Sequence, residues 1–293
     1  MIFSEHFKLI RTYQWIKNLF VFLPVFFAGK MLEDQQALLE VMYIFFSFSF
    51  TASGMYVLND YLDREADRQH PEKQSRPIAS GTVSANQAFL LIAILLPVGI
   101  GAAFALNIYA GCIVLGYCIM NIAYSLKLKH VPILDISIIA VGFLLRIYAG
   151  GIVAEVALSR WIIIMTFLLA LFMAIAKRRE DVLIFHASGN KVRKSIDGYN
   201  LEFINTSLAV MSAVIIVAYI MYTLSTDAMH SIQNPNIYMT TIFVILGILR
   251  YLQITMVENK SGSPTKILLK DRFIQLTVLG WIIAYYIFIY QTR

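Results

Sequence analysis

A succession of apolar runs constrains this chain more than any other feature. Segments near 17–31, 37–58, 86–105, 108–126, 134–154, 158–176, 203–225, 236–256 and 273–291 are long and almost free of charge. An α-helix needs about 20 such residues to cross a bilayer. The runs lack strict two-residue alternation, so they predict helices rather than barrel strands. Pro24 interrupts the first, which is expected to be short or tilted. Of the 293 residues, 59% are hydrophobic and only 14% charged, against about a quarter charged in soluble domains. A soluble globular enzyme, a disordered chain and a secreted disulfide scaffold are thereby excluded. The expected architecture is all-α: a polytopic membrane protein of about nine transmembrane helices, forming one domain over residues 1–293.

The distribution of positive charge orients these spans. Lys30, Arg160 and Arg293 fall on one side, Arg146 and Arg250 within spans, and the other 19 of the 24 Lys and Arg on the opposite side. The positive-inside rule then places the N-terminus in the cytoplasm and, with nine spans, the C-terminus outside the cell (inner) membrane. The long polar loops at 59–85 and 177–202 lie on the cytoplasmic side, so function is expected at that face. They follow the second and sixth spans, in the manner of a loose repeat. No signal peptide is read before Trp15. Cys112 and Cys118 have no metal-ligand spacing and are expected to be buried thiols.

The first polar loop opens Asn59-Asp60-Tyr61-Leu62-Asp63-Arg64-Glu65-Ala66-Asp67. On a continuing helix, spacings of three and four would place Asn59, Asp60, Asp63 and Asp67 on one face. Like charges this close repel unless a cation neutralises them. Hard oxygen donors suit Mg²⁺, which is commonly held by a few carboxylates together with substrate phosphates. Asp60, Asp63 and Asp67 are therefore the candidate metal ligands and catalytic residues. The alternative is a solvated helix end, since Arg64, Glu65 and Arg68 are interleaved. Downstream, Lys73 and Arg76 can reach phosphate oxygens, Arg bidentately. Standing alone, they would also read as ordinary cytoplasmic-side charge.

The aspartate motif, followed by Arg76-Pro77-Ile78-Ala79-Ser80-Gly81, resembles the UbiA superfamily of intramembrane prenyltransferases. The likeness is strongest to its decaprenyl-phosphate phosphoribosyltransferase branch. It extends through Tyr13-Gln14-Trp15-Ile16-Lys17-Asn18, Tyr124-Ser125-Leu126-Lys127-Leu128-Lys129-His130, Gly142-Phe143-Leu144-Leu145-Arg146 with Gly150-Gly151, Arg193-Lys194-Ser195 with Tyr199, Leu249-Arg250-Tyr251 and Leu269-Lys270-Asp271-Arg272. Typical members that use prenyl diphosphates carry a second aspartate-rich motif after the sixth span. This chain has Lys177-Arg178-Arg179-Glu180-Asp181 there, similar to the phosphoribosyltransferase branch, whose sugar donor bears an additional phosphate. Replacing carboxylates by cations suits a second anionic group, although positive-inside charge explains them too. Of the two acids, Asp181 aligns better than Glu180.

The resemblance implies a UbiA-like bundle around a cytoplasm-facing cavity and a Mg²⁺-dependent reaction. A 5-phosphoribosyl group would pass from phosphoribosyl diphosphate to a polyprenyl phosphate, releasing diphosphate. A lipid phosphate with a second pKa of about 6 is largely dianionic at neutral pH and needs no strong base. This agrees with the lack of an evident histidine–acid pair, and His130 and His186 are assigned no role. Substrate-binding candidates are Asn59, Lys17, Lys73, Arg76, Tyr124, Lys127, Arg146, Lys177, Asp181, Arg193, Lys194 and Tyr199. Tyr124 and Lys127 share a helix face, where a snorkelling lysine beside an interfacial aromatic is the competing reading. Arg146, inside a span, would meet a lipid phosphate or Asp135, or form a structural ion pair. Arg193, Lys194 and Tyr199 would form a mobile basic flap, or else a loop touching anionic headgroups. Gly150-Gly151 and the Gly99-x-Gly101 pair are expected to permit close helix packing.

The expected partners are the polyprenyl phosphate, phosphoribosyl diphosphate and the bilayer. Nucleic acid is not among them, and homo-oligomer formation is left open. The alternatives are an aromatic prenyltransferase of quinone or haem synthesis and, more remotely, a transporter. Transport predicts acids near the bilayer midplane on broken helices, whereas here they cluster at one face.

Overall fold

The computed structural model describes residues 2–69, 73–189, 194–225, 234–259 and 264–290, and no strand occurs among them. The elements are α1 (Ile2–Ile10), a 3₁₀ helix (Thr12–Phe22), α2 (Leu23–Phe27), α3 (Gln35–Leu62), α4 (Arg64–Arg68), α5 (Ala85–Leu106), α6 (Ile108–Leu126) and α7 (Leu134–Val153). There follow α8 (Arg160–Ser188), α9 (Leu201–Thr223), α10 (Thr241–Met256), α11 (Pro264–Lys270) and α12 (Arg272–Tyr290). Side-chain caps fix several starts. Asp34 accepts from the Ala37 amide at 2.9 Å to open α3, and Ser84 with Gln87 forms a reciprocal capping box on α5.

Eight helical segments among the described residues are long and apolar enough to cross a membrane. They correspond to the second through ninth predicted spans. The first, 17–31, is instead built from the 3₁₀ helix and the short α2. This stretch, Thr12–Phe22 followed by Leu23–Phe27, is not among the helices long and apolar enough to cross a membrane. The chain is a multi-pass membrane protein.

Two helices run well past the apolar runs that predict them. α3 continues through Asn59 and Asp60, and α8 carries Lys177 through Asp181 and ends only at Ser188, capped by Gly189 at φ 70°. The stretch expected to be a polar loop from residue 177 is thus helical for three further turns.

Two compact units partition the chain. One comprises residues 1–26, 30–129 and 145–157; the other comprises 27–29, 130–144 and 158–293. In the first, Val41, Ile44 and Phe48 of α3 pack with Val21 and Val25, Val114 and Tyr117 of α6, and Ala149 and Val153 of α7. Gly99 allows α5 to approach α3 closely: Ser47 Oγ donates to its carbonyl at 2.6 Å, and a Cβ there would strike Thr51. Gly150 serves the same purpose, since a Cβ would collide with the Val21 carbonyl oxygen. Gly101 has open space around it, so close packing is its neighbour's role alone. In the second unit, Phe172, Ile175 and Val182 of α8 form a core with Ile204 and Leu208 of α9 and Ile248, Tyr251 and Ile254 of α10. Cys118 is buried as expected, but Cys112 is exposed on α6; the six-residue step between them does not keep both on the packed face.

Candidate active site

The aspartate motif lies where α3 breaks. Asp63 sits between α3 and α4 at φ −91°, ψ 0°, a sparsely populated backbone region frequent at functional sites. The turn is nevertheless bonded, from the Asp63 amide to the Asn59 carbonyl at 2.9 Å and from the Asp67 amide to the Asp63 carbonyl at 2.8 Å. The single helix face expected to carry all three acids is therefore interrupted, and the acids divide between different partners.

Asp60 and Asp67 converge on Arg76. Its Nη1 donates to Asp60 Oδ1 at 3.0 Å and to Asp67 Oδ2 at 2.6 Å. Asp60 also accepts from Arg11 Nη2 at 2.5 Å. Asp63 accepts from Lys129 Nζ at 2.5 Å and from Asn59 Nδ2 at 3.1 Å. The Asp60 side chain is 2% exposed and that of Asp67 6%, whereas Asp63 keeps 30% and is the most accessible of the three.

Local packing fixes these cations. Ile78 and Val83, on either side of the Arg-Pro-Ile-Ala-Ser-Gly turn, pack with Leu9, Val57 and Ala88. Gly81 closes that turn at φ +79°, a conformation open to glycine at little cost. Arg68 Nε donates to the Ala79 carbonyl at 3.1 Å and holds the turn against α4. Arg11 is left-handed at φ 51°, ψ 51°, a strained backbone that the surroundings must enforce. Ser53 Oγ donates to the Ile10 carbonyl at 2.8 Å and Trp15 Nε1 to Ser53 Oγ at 3.0 Å, securing both flanks. The Arg11 guanidinium lies 5.3 Å from the centre of the Tyr56 ring. Burial pulls its pKa down, but the Asp60 charge and hydrogen bond outweigh that pull and hold it above the ordinary arginine value.

Arg11 and Lys129 belong to this cluster; from the sequence Arg11 reads only as topology-setting charge and Lys129 only as part of the Tyr124–His130 stretch, with no site role for either. Lys127, the lysine favoured there, is exposed, while Lys129 is buried. The 3₁₀ turn Leu128–His130 separates the two orientations. Tyr124 and Lys73 are partly buried. Arg146 is 4% exposed; its Nε donates to Asn18 Oδ1 at 2.7 Å and Nη2 to the Tyr117 hydroxyl at 3.2 Å. It also lies over the rings of Tyr117 and Phe48. Lys17, next to Asn18 on the 3₁₀ helix, is partly buried.

The second unit corrects the reading of the Lys177–Asp181 stretch. Arg178, 1% exposed, donates from Nε to Asp135 Oδ2 at 2.7 Å and from Nη1 to Asp181 Oδ2 at 2.6 Å. Arg179 donates to Asn205, to the Thr255 carbonyl and to Asn259. Two of the three consecutive cations are thus committed to internal bonds, and so is Asp181; Lys177 is partly buried. Asp135, expected as a partner for Arg146, serves instead as the acceptor for Arg178, for Ser195 Oγ at 3.2 Å and for the Tyr199 hydroxyl at 2.7 Å. Tyr199 also accepts from the Ile133 amide at 2.7 Å. It anchors its segment rather than forming part of a mobile flap. Arg193 and the side chain of Lys194 lie outside the described residues. Arg250 pairs with Asp271 at 2.6 Å and Glu258 at 3.0 Å, satisfying a charge that α10 carries into a span.

The donor set suits a hard divalent cation: three carboxylates and an amide, within one break between helices. One positive centre, Arg76 Nη1, already lies within 3.0 Å of oxygens from two of the carboxylates. No preassembled group of three or more His, Cys, Asp or Glu that could hold a metal ion occurs among the described residues, and each of the three aspartates is paired with a cation.

An all-helical, multi-pass protein with clustered carboxylates at a helix break defines the class, and comparison with known proteins defines the family. Residues 19–189 match the model of the UbiA prenyltransferase family, and the chain belongs to that family. It is 33% identical to the decaprenyl-phosphate phosphoribosyltransferase of Mycolicibacterium smegmatis, over 94% of this chain and 89% of that one. It is 29% identical to the decaprenyl-phosphate phosphoribosyltransferase of Corynebacterium glutamicum, over 97% and 86%. The fold is similar to a UbiA homolog from Archaeoglobus fulgidus bound to DMAPP and Mg²⁺, with a TM-score of 0.73 at 22% identity over 97% of this chain and 99% of that one.

Proposed function

We propose that this protein transfers the 5-phosphoribosyl group of phosphoribosyl diphosphate to a polyprenyl phosphate. The observation that carries this reading is the full-length similarity to two transferases of that specificity, spanning 94% and 97% of the chain. The cation-rich chemistry of the aspartate site supports it.

In the reaction, the bond from the anomeric carbon to diphosphate breaks, and diphosphate leaves with the electron pair. A lipid phosphate oxygen forms the new bond. The nucleophile is already largely dianionic, so leaving-group stabilisation dominates the catalytic requirement. Mg²⁺ held by Asp60, Asp63 and Asp67 would supply Lewis-acid neutralisation of the diphosphate. Arg76 and Lys73 contribute positive charge from neighbouring positions. Lys129 and Asn59 orient Asp63, and Arg11 hydrogen-bonds Asp60. The distribution of Lys and Arg supports a cytoplasmic N-terminus and a site open to the cytoplasm, where a soluble sugar diphosphate is available. The product is an activated pentose on a lipid carrier, a precursor for cell-envelope glycan synthesis.

Isotope labelling tests the bond that breaks. Purified enzyme with Mg²⁺ and decaprenyl phosphate receives donor labelled either at the 5-phosphate or at the β-phosphate. The 5-phosphate label is expected in the lipid phase and the β label in water. Retention of both labels in the aqueous phase, with the enzyme folded, would exclude the assignment.

A further inference from the structure

Arg76 uses its guanidinium sparingly. Nη1 alone bridges Asp60 and Asp67, at 3.0 and 2.6 Å, and among the described residues Nε and Nη2 make no hydrogen bond. An arginine fork normally binds anions through two nitrogens. The side chain retains 26% exposure, against 17% for Arg11. The two arginines on Asp60 are held differently. Arg11 is locked by its left-handed backbone and the Tyr56 ring, whereas Arg76 follows a 3₁₀ helix at Lys73–Ser75 whose Gln74 and Ser75 are exposed, and among the described residues its guanidinium is engaged through Nη1 alone.

We propose that Arg76 is a displaceable counter-cation. It bridges Asp60 and Asp67 while the site awaits its ligands, and it yields that position to the divalent cation that arrives with a diphosphate. Its guanidinium then turns onto the diphosphate, while Arg11 stays on Asp60. The inference rests on the metal–diphosphate reading above and adds the order of events. A positive group already between two carboxylates opposes metal binding by itself. A diphosphate offers that group a better acceptor, so metal and donor bind with positive coupling. Arg76 is thus a positioning residue for the metal and a binding residue for the donor.

The test is Mn²⁺ binding to the full-length protein in detergent, followed by the paramagnetic signal of free Mn²⁺, alongside donor kinetics. Arg76→Gln is expected to bind Mn²⁺ alone about tenfold more tightly than the wild type, while its KM for phosphoribosyl diphosphate rises at least about tenfold, a charge-assisted hydrogen bond having been lost. Arg76→Lys, which keeps the charge but loses the fork, is expected to match wild-type Mn²⁺ affinity with a raised donor KM. If Mn²⁺ binds wild type and Arg76→Gln equally, the displacement role is overturned and the metal site stands. If Mn²⁺ binds neither, with or without donor, the metal reading itself falls. Should Arg76→Gln not fold, an unchanged donor KM in Arg76→Lys overturns the proposal.

Discussion

Lys129 Nζ lies 2.5 Å from Asp63 Oδ1, 66 residues away in sequence, and its side chain is only 7% exposed. A buried ammonium at this position sets the direction of the most accessible carboxylate in the site. Lys127, two residues earlier, is exposed. Lys129→Met is expected to lower kcat/KM about ten- to a hundredfold, the range for losing a hydrogen bond to a charged group. Lys127→Met should stay within about twofold of wild type. Steady-state kinetics of the two variants, side by side, decide whether the buried or the exposed lysine serves the site.

Asp63→Asn keeps the side-chain shape and removes the charge. Turnover is expected to fall by at least about a hundredfold, as for loss of a group that acts at the transition state, with the helical fold retained and some loss of thermal stability, because the buried Lys129 ammonium loses its carboxylate. Chelation with EDTA should abolish activity in the wild type, with recovery on adding Mg²⁺. Near-normal turnover in Asp63→Asn would remove Asp63 from the metal site.

Asp135 is fully buried and accepts from Arg178, Ser195 and Tyr199. Removing its charge takes from Arg178 one of its two carboxylate partners, and weakening a buried ion pair in this way costs up to about 3–5 kcal/mol. Asp135→Asn should therefore unfold at markedly lower temperature in detergent, while Tyr199→Phe loses only about 1 kcal/mol. Burial, and then the bond to Asp135, raises the Tyr199 pKa above the ordinary tyrosine value. The folded state thus holds this proton more tightly than the unfolded chain. Its contribution is complete below the usual tyrosine pKa of about 10 and declines as pH rises beyond it. Melting curves of wild type and Tyr199→Phe should converge at strongly alkaline pH.

Gly150 faces the backbone carbonyl of Val21 with no room for a methyl group. Gly150→Ala should cost about 1–3 kcal/mol through overpacking, whereas Gly101→Ala, with open space around it, should be neutral or slightly stabilising. Thermal unfolding of the two variants checks the assignment.

The helical architecture was legible because apolar runs of bilayer length leave the backbone few alternatives. The 3₁₀ stretch from Thr12 to Phe22 was not, since hydropathy reports burial in lipid and is blind to the hydrogen-bond register. That Arg76 lies by Asp60 and Asp67 was legible from their closeness in sequence, whereas the single helix face was not, because the helix breaks at Asp63. Arg11 and Lys129 were missed because positive charge flanking an apolar span already has a sufficient explanation in topology. Only tertiary contact separates a cation that pairs with a carboxylate from one that faces the headgroups. The same limitation hid the roles of Arg178 and Arg179. Their sequence announces a basic patch, but the extension of α8 turns both into the interior, where Asp135 and the α10 backbone receive them.

Donor selection tests the central claim most directly. Purified protein with Mg²⁺ is offered phosphoribosyl diphosphate with a polyprenyl phosphate and, separately, a prenyl diphosphate with 4-hydroxybenzoate, and the lipid products are weighed by mass spectrometry. The account predicts a polyprenyl phosphate heavier by one phosphoribosyl unit and no prenylated aromatic. A prenylated aromatic in place of that product would contradict it and return the protein to the ordinary prenyltransferase reaction.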